Sequence, residues 1–157
     1  MCNKKMSKYS FEEDIEISKS ELAKIQLEDA IDLFLSGKRI SVITLAGAAE
    51  EIFARLLNIK GEQSIIEESF SSIQQLREEI LHSVMDEKSK NEIFNEWNKN
   101  KNILKHHNKK DDISISFSPF DESYMMLQRA ILNSEKLGVS LKNRQEYENW
   151  LIENIYM

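Results

Sequence analysis

The stretch ISVITLAGAAEEIFARLLNI, residues 40–59, decides the fold, because its apolar side chains cover almost the whole circumference of a helix. A helix that is apolar all round lies at the centre of a bundle, with other helices packed around it. The run from Ala46 to Ala49 has almost no side-chain bulk, so we expect the backbone of a neighbouring helix to approach closely at Gly47. Gly61 then supplies the stop of this helix.

Helical periodicity continues on both sides of this central helix. Further helices are predicted at residues 18–36, from 64 or 69 to 85, at 89–105, at 121–137 and from 143 onward. Ser18, Asp121 and Asn143 are the predicted N-caps, and Gly37 and Gly138 are the predicted stops. Because the links are mostly short, successive helices should lie antiparallel. The sequence therefore predicts an all-α fold, an antiparallel helical bundle of five to six helices.

Residues that break helices are scarce. The chain has four glycines and one proline, which favours long helices over the many tight turns of an all-β fold. The clear interruption is at residues 108–119, where Ile113, Ile115 and Phe117 alternate with serines. This alternation predicts an extended segment laid on the core.

Length and composition predict one domain. The 157 residues are enough to bury a core, and we expect a flexible N-terminal segment at 1–17 followed by a single domain at 18–157. Cys2 is the only cysteine, so no disulfide framework is predicted. The basic start at Lys4 and Lys5 leads into acidic residues, and no run approaches the roughly 20 apolar residues that cross a bilayer. We therefore expect a cytoplasmic protein without a membrane anchor.

The net charge of −6 argues against a chain that coats nucleic acid through nonspecific attraction, so an anionic ligand must find a local patch. Residues 99–110, KNKNILKHHNKK, hold five lysines and two of the three histidines. An imidazole titrates near neutrality and lysines can hold a phosphate, so the segment suits phosphodiester chemistry or RNA contact. The alternative is the solvated end of a helix, where cations face the negative end of the helix dipole.

Within this segment, Lys101-Asn-Ile-Leu-Lys-His106 resembles the signature of the HEPN superfamily. That signature is an arginine, then four to six residues of which the first is usually polar, then a histidine. Asn102 matches the polar follower, His106 matches the histidine, and His107 would satisfy the five-residue spacing. Lys101 departs from the pattern, because it stands where arginine is expected. The helix around residues 45–51 is also similar to an early core helix of several bacterial members.

The resemblance implies a small helical bundle that acts as a metal-independent ribonuclease, without a metal or cofactor. Many members are toxins of toxin–antitoxin or phage-defence systems, and they dimerise so that two motifs share one cleft. The resemblance therefore implies a homodimer, an RNA substrate and an antitoxin or other protein partner. Other members are noncatalytic, which leaves a noncatalytic helical interaction module as the alternative.

The same resemblance assigns roles to residues of the segment. His106 would assist attack of the ribose 2′-hydroxyl on the adjacent phosphate, Lys101 would face the phosphate, and Asn102 would position it. Lysine supplies the charge but not the planar two-pronged grip of a guanidinium. The predicted RNA- and phosphate-binding residues are Lys99, Lys105, His107, Lys109 and Lys110.

Two other sets of residues compete with this motif. Arg77 and His82 have the same spacing, but Glu78 follows the arginine and would repel a phosphate, so a surface arginine and a helix-end histidine are predicted. A metal site is conceivable at four nearby side chains, namely His106, His107, Asp111 and Asp112. Adjacent residues on a helix point about 100° apart and nothing holds these four together, so no metal site is predicted.

Glu50 and Glu51 are unusual in so apolar a helix. One of them could face the site and orient a basic group or a histidine. The simpler prediction pairs Glu51 with Arg55 at the i,i+4 spacing and places Glu50 at a seam between helices. Trp97 and Trp150 are predicted to be core anchors and not platforms for stacked bases.

Overall fold

The structure, a computed structural model, describes residues 14–81, 89–106 and 114–157, and every regular element in these ranges is helical. The α-helices are α1 (Lys19–Leu35), α2 (Arg39–Ile59), α3 (Ile65–Leu81), α4 (Lys90–Trp97), α5 (Lys99–Lys105), α6 (Pro119–Lys136) and α7 (Arg144–Leu151). A π-helical turn, Ile152–Tyr156, continues α7. The predicted all-α class is confirmed. Residues 1–13 of the predicted flexible segment lie outside the described part.

Most helix ends follow local signals in the sequence. The Ser18 hydroxyl accepts a hydrogen bond from the backbone N–H of Glu21 at 3.1 Å and caps α1, which is one half of the reciprocal capping box that the spacing of Ser18 and Glu21 predicts. Gly37, Gly61 and Gly138 have φ angles of 79°, 78° and 71° directly after α1, α2 and α6. Glycine adopts this left-handed conformation without the clash that a Cβ causes, so these predicted stops are confirmed.

One predicted N-cap is wrong and another acts differently. The N-cap of α6 is Ser118, whose hydroxyl accepts a hydrogen bond from the N–H of Asp121 at 3.2 Å. Proline follows Ser118 at the first helical position, where its preset φ fits and no N–H is needed. Asn143 precedes α7, but its side chain donates hydrogen bonds to the carbonyl of Glu28 and to Oδ1 of Asp32 instead of capping the helix.

α2 lies at the centre of the bundle and packs along both α1 and α6. Val42, Ala49 and Phe53 are fully buried and Leu45 is half-buried, which confirms the predicted central helix. The core residues of the other helices are Ala23, Leu27, Ala30, Ile31 and Phe34 of α1, Met126, Leu127, Ala130 and Ile131 of α6, and Tyr147 and Leu151 of α7. In the described ranges, no helix is both long enough and apolar enough to span a membrane.

An aromatic cluster joins the ends of α1, α6 and α7. The ring of Phe34 lies 6.1 Å from Phe120, 5.5 Å from Tyr147 and 5.1 Å from Trp150, the last two edge-on. The guanidinium of Arg39 lies 3.7 Å above the Phe34 ring. Edge-to-face aromatic pairs add to the free energy that burial itself supplies. Trp150 therefore acts as the predicted packing anchor.

α3 packs against α6, and α4 packs against α5. The backbone N–H of Ile65 donates to Oδ1 of Asn133 at 2.8 Å, which ties the start of α3 to α6. On the predicted buried stripe of α3, Ile66 is buried and Ile73 is half-buried, but Leu76 is 54% exposed. The stripe is therefore only partly covered. The predicted continuation to residue 85 lies outside the described residues.

The interruption predicted at residues 108–119 is seen where the structure describes it. Residues 114–118 have no regular secondary structure, and α6 begins directly after them. Phe117 is half-buried, whereas Ile115 is 40% exposed. The apolar residues of this segment are thus covered to different degrees.

Candidate functional site

The predicted helix at residues 89–105 is two helices in the structure. α4 begins with a capping box, in which the side chains of Ser89 and Glu92 each accept a hydrogen bond from the other's backbone N–H. The helical chain is interrupted at Asn98, and α5 follows directly. Oδ1 of Asn98 accepts a hydrogen bond from Nη1 of Arg129 at 3.0 Å, which ties this junction to α6.

Lys101 points into the bundle, and its side chain is 3% exposed. Its aliphatic stem crosses α2 at Gly47, where an added Cβ would lie 2.5 Å from Cδ and 2.9 Å from Cγ of Lys101. The predicted close approach at Gly47 therefore exists. The neighbour, however, is a lysine side chain and not the helix backbone that we predicted. The missing side chain of Gly47 gives Lys101 its path across α2.

Five charged side chains meet at the end of this stem and form the charge cluster: Glu50, Glu51, Lys101, Lys105 and Arg129. Nζ of Lys101 donates to Oε1 of Glu51 at 2.7 Å and lies 3.7 Å from Oε2 of Glu50. Nη2 of Arg129 donates to Oε1 of Glu50 at 2.9 Å, and Nζ of Lys105 lies 3.8 Å from Oε1 of Glu51. Each buried charge therefore has an opposite charge beside it, as a low-dielectric interior requires.

The simpler predictions for the two glutamates are wrong. The partner of Glu51 is Lys101, fifty positions along the chain, and Arg55 acts on Glu51 through its charge alone. Glu50 does not emerge at a seam, because its side chain is 3% exposed and lies between Lys101 and Arg129. The other interpretation, in which a glutamate orients a basic group, describes both residues.

Glu51 is the more exposed acid of the charge cluster, with 48% of its side chain accessible. Burial raises the pKa of Glu51, but the hydrogen bond from Lys101 and the positive charges of Lys101, Lys105 and Arg55 outweigh burial and hold this pKa below its ordinary value. The carboxylate is therefore ionised at neutral pH. The positive charge of Lys101 is balanced by the carboxylates of Glu50 and Glu51.

The other predicted residues of α5 face outward, as does His106, which directly follows this helix. Lys99, Asn102 and His106 are exposed, and 25% of the Lys105 side chain is accessible. Successive residues on a helix point about 100° apart, so Asn102 leaves the surface in a different direction from Lys101. The structure thus divides the predicted catalytic set. Asn102 and His106 lie at the surface, whereas Lys101 lies inside the bundle.

Several predicted residues lie outside the described part of the chain. They are His107, Lys109 and Lys110 of the phosphate-binding set, and His82, Asp111 and Asp112 of the competing sets. Among the residues that the structure does describe, no group of three or more histidine, cysteine, aspartate or glutamate side chains is arranged to hold a metal ion. The site is therefore built from Lys99 to His106 and from the charge cluster.

An open cleft of about 430 Å³ lies beside the charge cluster and is bordered by α2, α3, α4, α5 and α6. Its charged lining consists of three acidic residues and three basic ones, namely Glu50, Glu51, Glu67, Arg55, Lys101 and Arg129. These charges balance, so the cleft as it stands does not concentrate anions.

A second cleft of about 560 Å³ lies between α3, α4 and α6 and is mostly apolar. Ile73, Met125 and Leu132 line it together with Trp97. Trp97 is half-buried and stacks on Phe94 at 6.1 Å, so it packs in the bundle but also borders open space. Trp97 is therefore only partly the core anchor that we predicted, because it also lines the cleft.

Sequence reasoning missed Arg129 and Asn98. Arg129 lies three residues after Met126 and four before Asn133, which are both buried, so helical spacing places it toward the buried side of α6. A cation at such a position needs a buried acid beside it, and Glu50 is an acid in the most apolar helix. These two residues together could have predicted the ion pair from the sequence. Asn98 offered no comparable signal, because asparagine is common throughout this part of the chain.

No family model matches this chain, and neither a curated protein nor a solved structure is similar enough to it to count as a match. The comparisons therefore show no family. The resemblance to the HEPN superfamily rests on residues 101–106, on the helix around residues 45–51 and on the all-α architecture.

Proposed function

We propose that this chain is a HEPN-like protein that acts as a metal-independent ribonuclease of toxin or defence type, with the site at a homodimer cleft. One observation carries the proposal: α5 presents Asn102 at the surface and sends Lys101 to an open cleft, and His106, which directly follows α5, is exposed. An imidazole, an amide and lysine ammonium groups therefore lie within one short segment, residues 99–106. These are the groups that cleavage of a phosphodiester by its own 2′-hydroxyl requires.

Each residue has a stated role in the proposed reaction. His106 takes the proton of the ribose 2′-hydroxyl while the 2′-oxygen attacks the adjacent phosphorus, and the bond from phosphorus to the 5′-oxygen breaks as that oxygen receives a proton from water. The products are a 2′,3′-cyclic phosphate and a 5′-hydroxyl. Asn102 positions the phosphate, and Lys99 and Lys105 attract the RNA chain. The ion pair between Lys101 and Glu51 has to open before the ammonium of Lys101 can face a phosphate, because the two are paired at 2.7 Å.

A second candidate function is a noncatalytic helical interaction module, and the burial of Lys101 favours it. The residue that stands in place of the signature arginine is 3% exposed and lies between two carboxylates. In this alternative, Lys101 fastens α5 to α2, and the exposed lysines bind a protein partner such as an antitoxin. This alternative needs no rearrangement of the charge cluster.

Cleavage of single-stranded RNA in the presence of a chelator separates the two functions. We expect products with cyclic phosphate ends, and we expect His106→Ala to lower the rate at least about 100-fold because the proton acceptor is lost. His82→Ala is the matched control, since it removes a histidine from a different segment, and it should leave the rate almost unchanged. Absence of cleavage by both the natural protein and Lys101→Arg would overturn the ribonuclease function and leave the interaction module.

Lys101→Arg sharpens this test because arginine shares the Cβ, Cγ and Cδ atoms that cross Gly47. The guanidinium should therefore follow the same path and restore the two-pronged phosphate contact of the signature. We expect the cleavage rate of this variant to equal or exceed that of the natural protein. Lys101→Ala should lower it.

The proposed composite cleft also requires a dimer. Sedimentation equilibrium should give about twice the 18.4 kDa mass of one chain. A monomer at micromolar concentration would remove the shared cleft and with it the proposed arrangement of two motifs.

A further inference from the structure

One glutamate of the charge cluster is shared by two lysines of α5. Oε1 of Glu51 accepts a hydrogen bond from Nζ of Lys101 at 2.7 Å, and the same oxygen lies 3.8 Å from Nζ of Lys105. The two lysines are one helical turn apart, so their ammonium groups converge on a single acceptor. Two ammonium groups around one oxygen also suit an oxygen of a phosphate group.

Burial is uneven across this contact. The side chain of Lys101 is 3% exposed and that of Glu51 is 48% exposed. Glu51 therefore lies on the solvent side, and its carboxylate is easily hydrated when it leaves the lysines. Lys101 does not have this freedom, because its stem lies against Gly47. An anion from solvent thus reaches Lys101 through the place that Glu51 occupies.

Departure of Glu51 changes the charge of the site. Glu50 stays in place, because it is 3% exposed and accepts a hydrogen bond from Arg129 at 2.9 Å. Two carboxylates face the three cations Lys101, Lys105 and Arg129 before this departure, and one carboxylate faces them afterwards. The open cleft beside them acquires a surplus of positive charge, which attracts an anion.

We propose that Glu51 is an internal competitor of RNA: its carboxylate occupies the place between Lys101 and Lys105 that a phosphate group of bound RNA takes. The inference rests on the proposed function for the identity of the ligand as RNA. Binding exchanges one anion for another and releases Glu51 into solvent. Without RNA the two lysines are paired with Glu51.

Fluorescence anisotropy with a labelled, single-stranded 2′-O-methyl RNA tests this exchange, because the missing 2′-hydroxyl prevents cleavage during the titration. Glu51→Gln keeps the shape of the side chain and removes its charge. We expect this variant to bind the RNA about tenfold more tightly than the natural protein at equal ionic strength, since a charge-assisted contact becomes available to the phosphate. Glu146→Gln, an equal change of charge at an exposed position of α7, should alter the affinity less than twofold.

A double variant tests whether the tighter RNA binding of Glu51→Gln depends on Lys101. Lys101→Met keeps the unbranched stem over Gly47 and removes the ammonium, so adding it to Glu51→Gln should abolish the tighter binding. Persistence of the gain in this double variant would overturn the inference. Equal affinities of Glu51→Gln and Glu146→Gln would overturn it as well, while RNA binding by both would leave the proposed function standing. Absence of RNA binding by all variants would overturn both.

A measurement on the natural protein covers the case in which Glu51→Gln does not fold. The pKa of Glu51, followed by carbon NMR of its carboxyl group, should rise when the 2′-O-methyl RNA is added, because Lys101 then no longer donates to this carboxylate. A pKa that stays below the ordinary value in the complex would show that Glu51 keeps Lys101 and that the exchange does not occur.

Discussion

α2 has two interfaces of opposite chemistry. Toward α1 and α6 it presents side chains such as Val42 and Phe53, which are fully buried, whereas toward α5 and Arg129 of α6 it presents Glu50 and Glu51. The stability of the apolar interface grows with the area removed from water. The charged interface contributes little net stability, but it is sensitive to the loss of any one partner. The apolar interface therefore specifies the fold, while the charged interface fixes the position of α5.

The largest effect is expected in the apolar core. Phe34→Ala should lower the free energy of unfolding by about 3–5 kcal/mol, because it removes a fully buried ring and leaves a cavity among three other aromatic side chains. Chemical denaturation measures this change. Ile59→Ala, at a position that is 81% exposed, is the control and should change stability by less than about 0.5 kcal/mol.

The charge cluster offers a matched pair of neighbouring glutamates. Glu50→Gln should cost about 3 kcal/mol, because Lys101 and Arg129 then keep buried charges with less compensation. Glu51→Gln makes the same chemical change at a side chain that is 48% exposed and should cost less than about 1 kcal/mol. Equal costs in urea denaturation would contradict the assignment of one buried and one exposed acid.

Gly47→Ala tests the contact between the two interfaces. Alanine would gain about 1 kcal/mol of helix propensity in an open site. Here its Cβ would meet the Lys101 stem at 2.5 Å, so we expect a net loss of about 1–2 kcal/mol. Truncation of the stem by Lys101→Ala should remove this penalty, and a double-mutant cycle of unfolding free energies measures the coupling. Additive effects of the two changes would exclude a contact at this place.

The smallest expected effect is the pH dependence that Glu51 contributes. Its pKa in the folded protein lies below the ordinary value of 4.5, so its ion pair stabilises the fold above that value and the contribution is lost as the pH falls through the lowered pKa. The difference in unfolding free energy between the natural protein and Glu51→Gln should therefore be present at pH 7 and shrink in acid. A difference that grows as the pH falls would contradict the sign of this pKa shift.

The fold could be predicted from the sequence, because apolar periodicity and helix stops are local signals. The continuous apolar pattern of residues 40–59 predicted the central helix, and the structure confirms it. The position of Lys101 could not be predicted, since the acid that holds it is fifty positions away in the chain. The sequence of a lysine-rich segment does not show which of its lysines face water and which face the interior. Packing against Gly47 and pairing with Glu50 and Glu51 distinguish Lys101 from Lys99 and Lys105.

The central claim is that Lys101 is held inside the bundle by Glu50 and Glu51, while the lysines beside it remain accessible. Reductive methylation followed by mass spectrometry tests this most directly, because the reagent reaches each amine according to its exposure. Lys99 should be modified first, Lys105 next, and Lys101 much later than both. Modification of Lys101 as fast as that of Lys99 would contradict the buried charge cluster and every role derived from it.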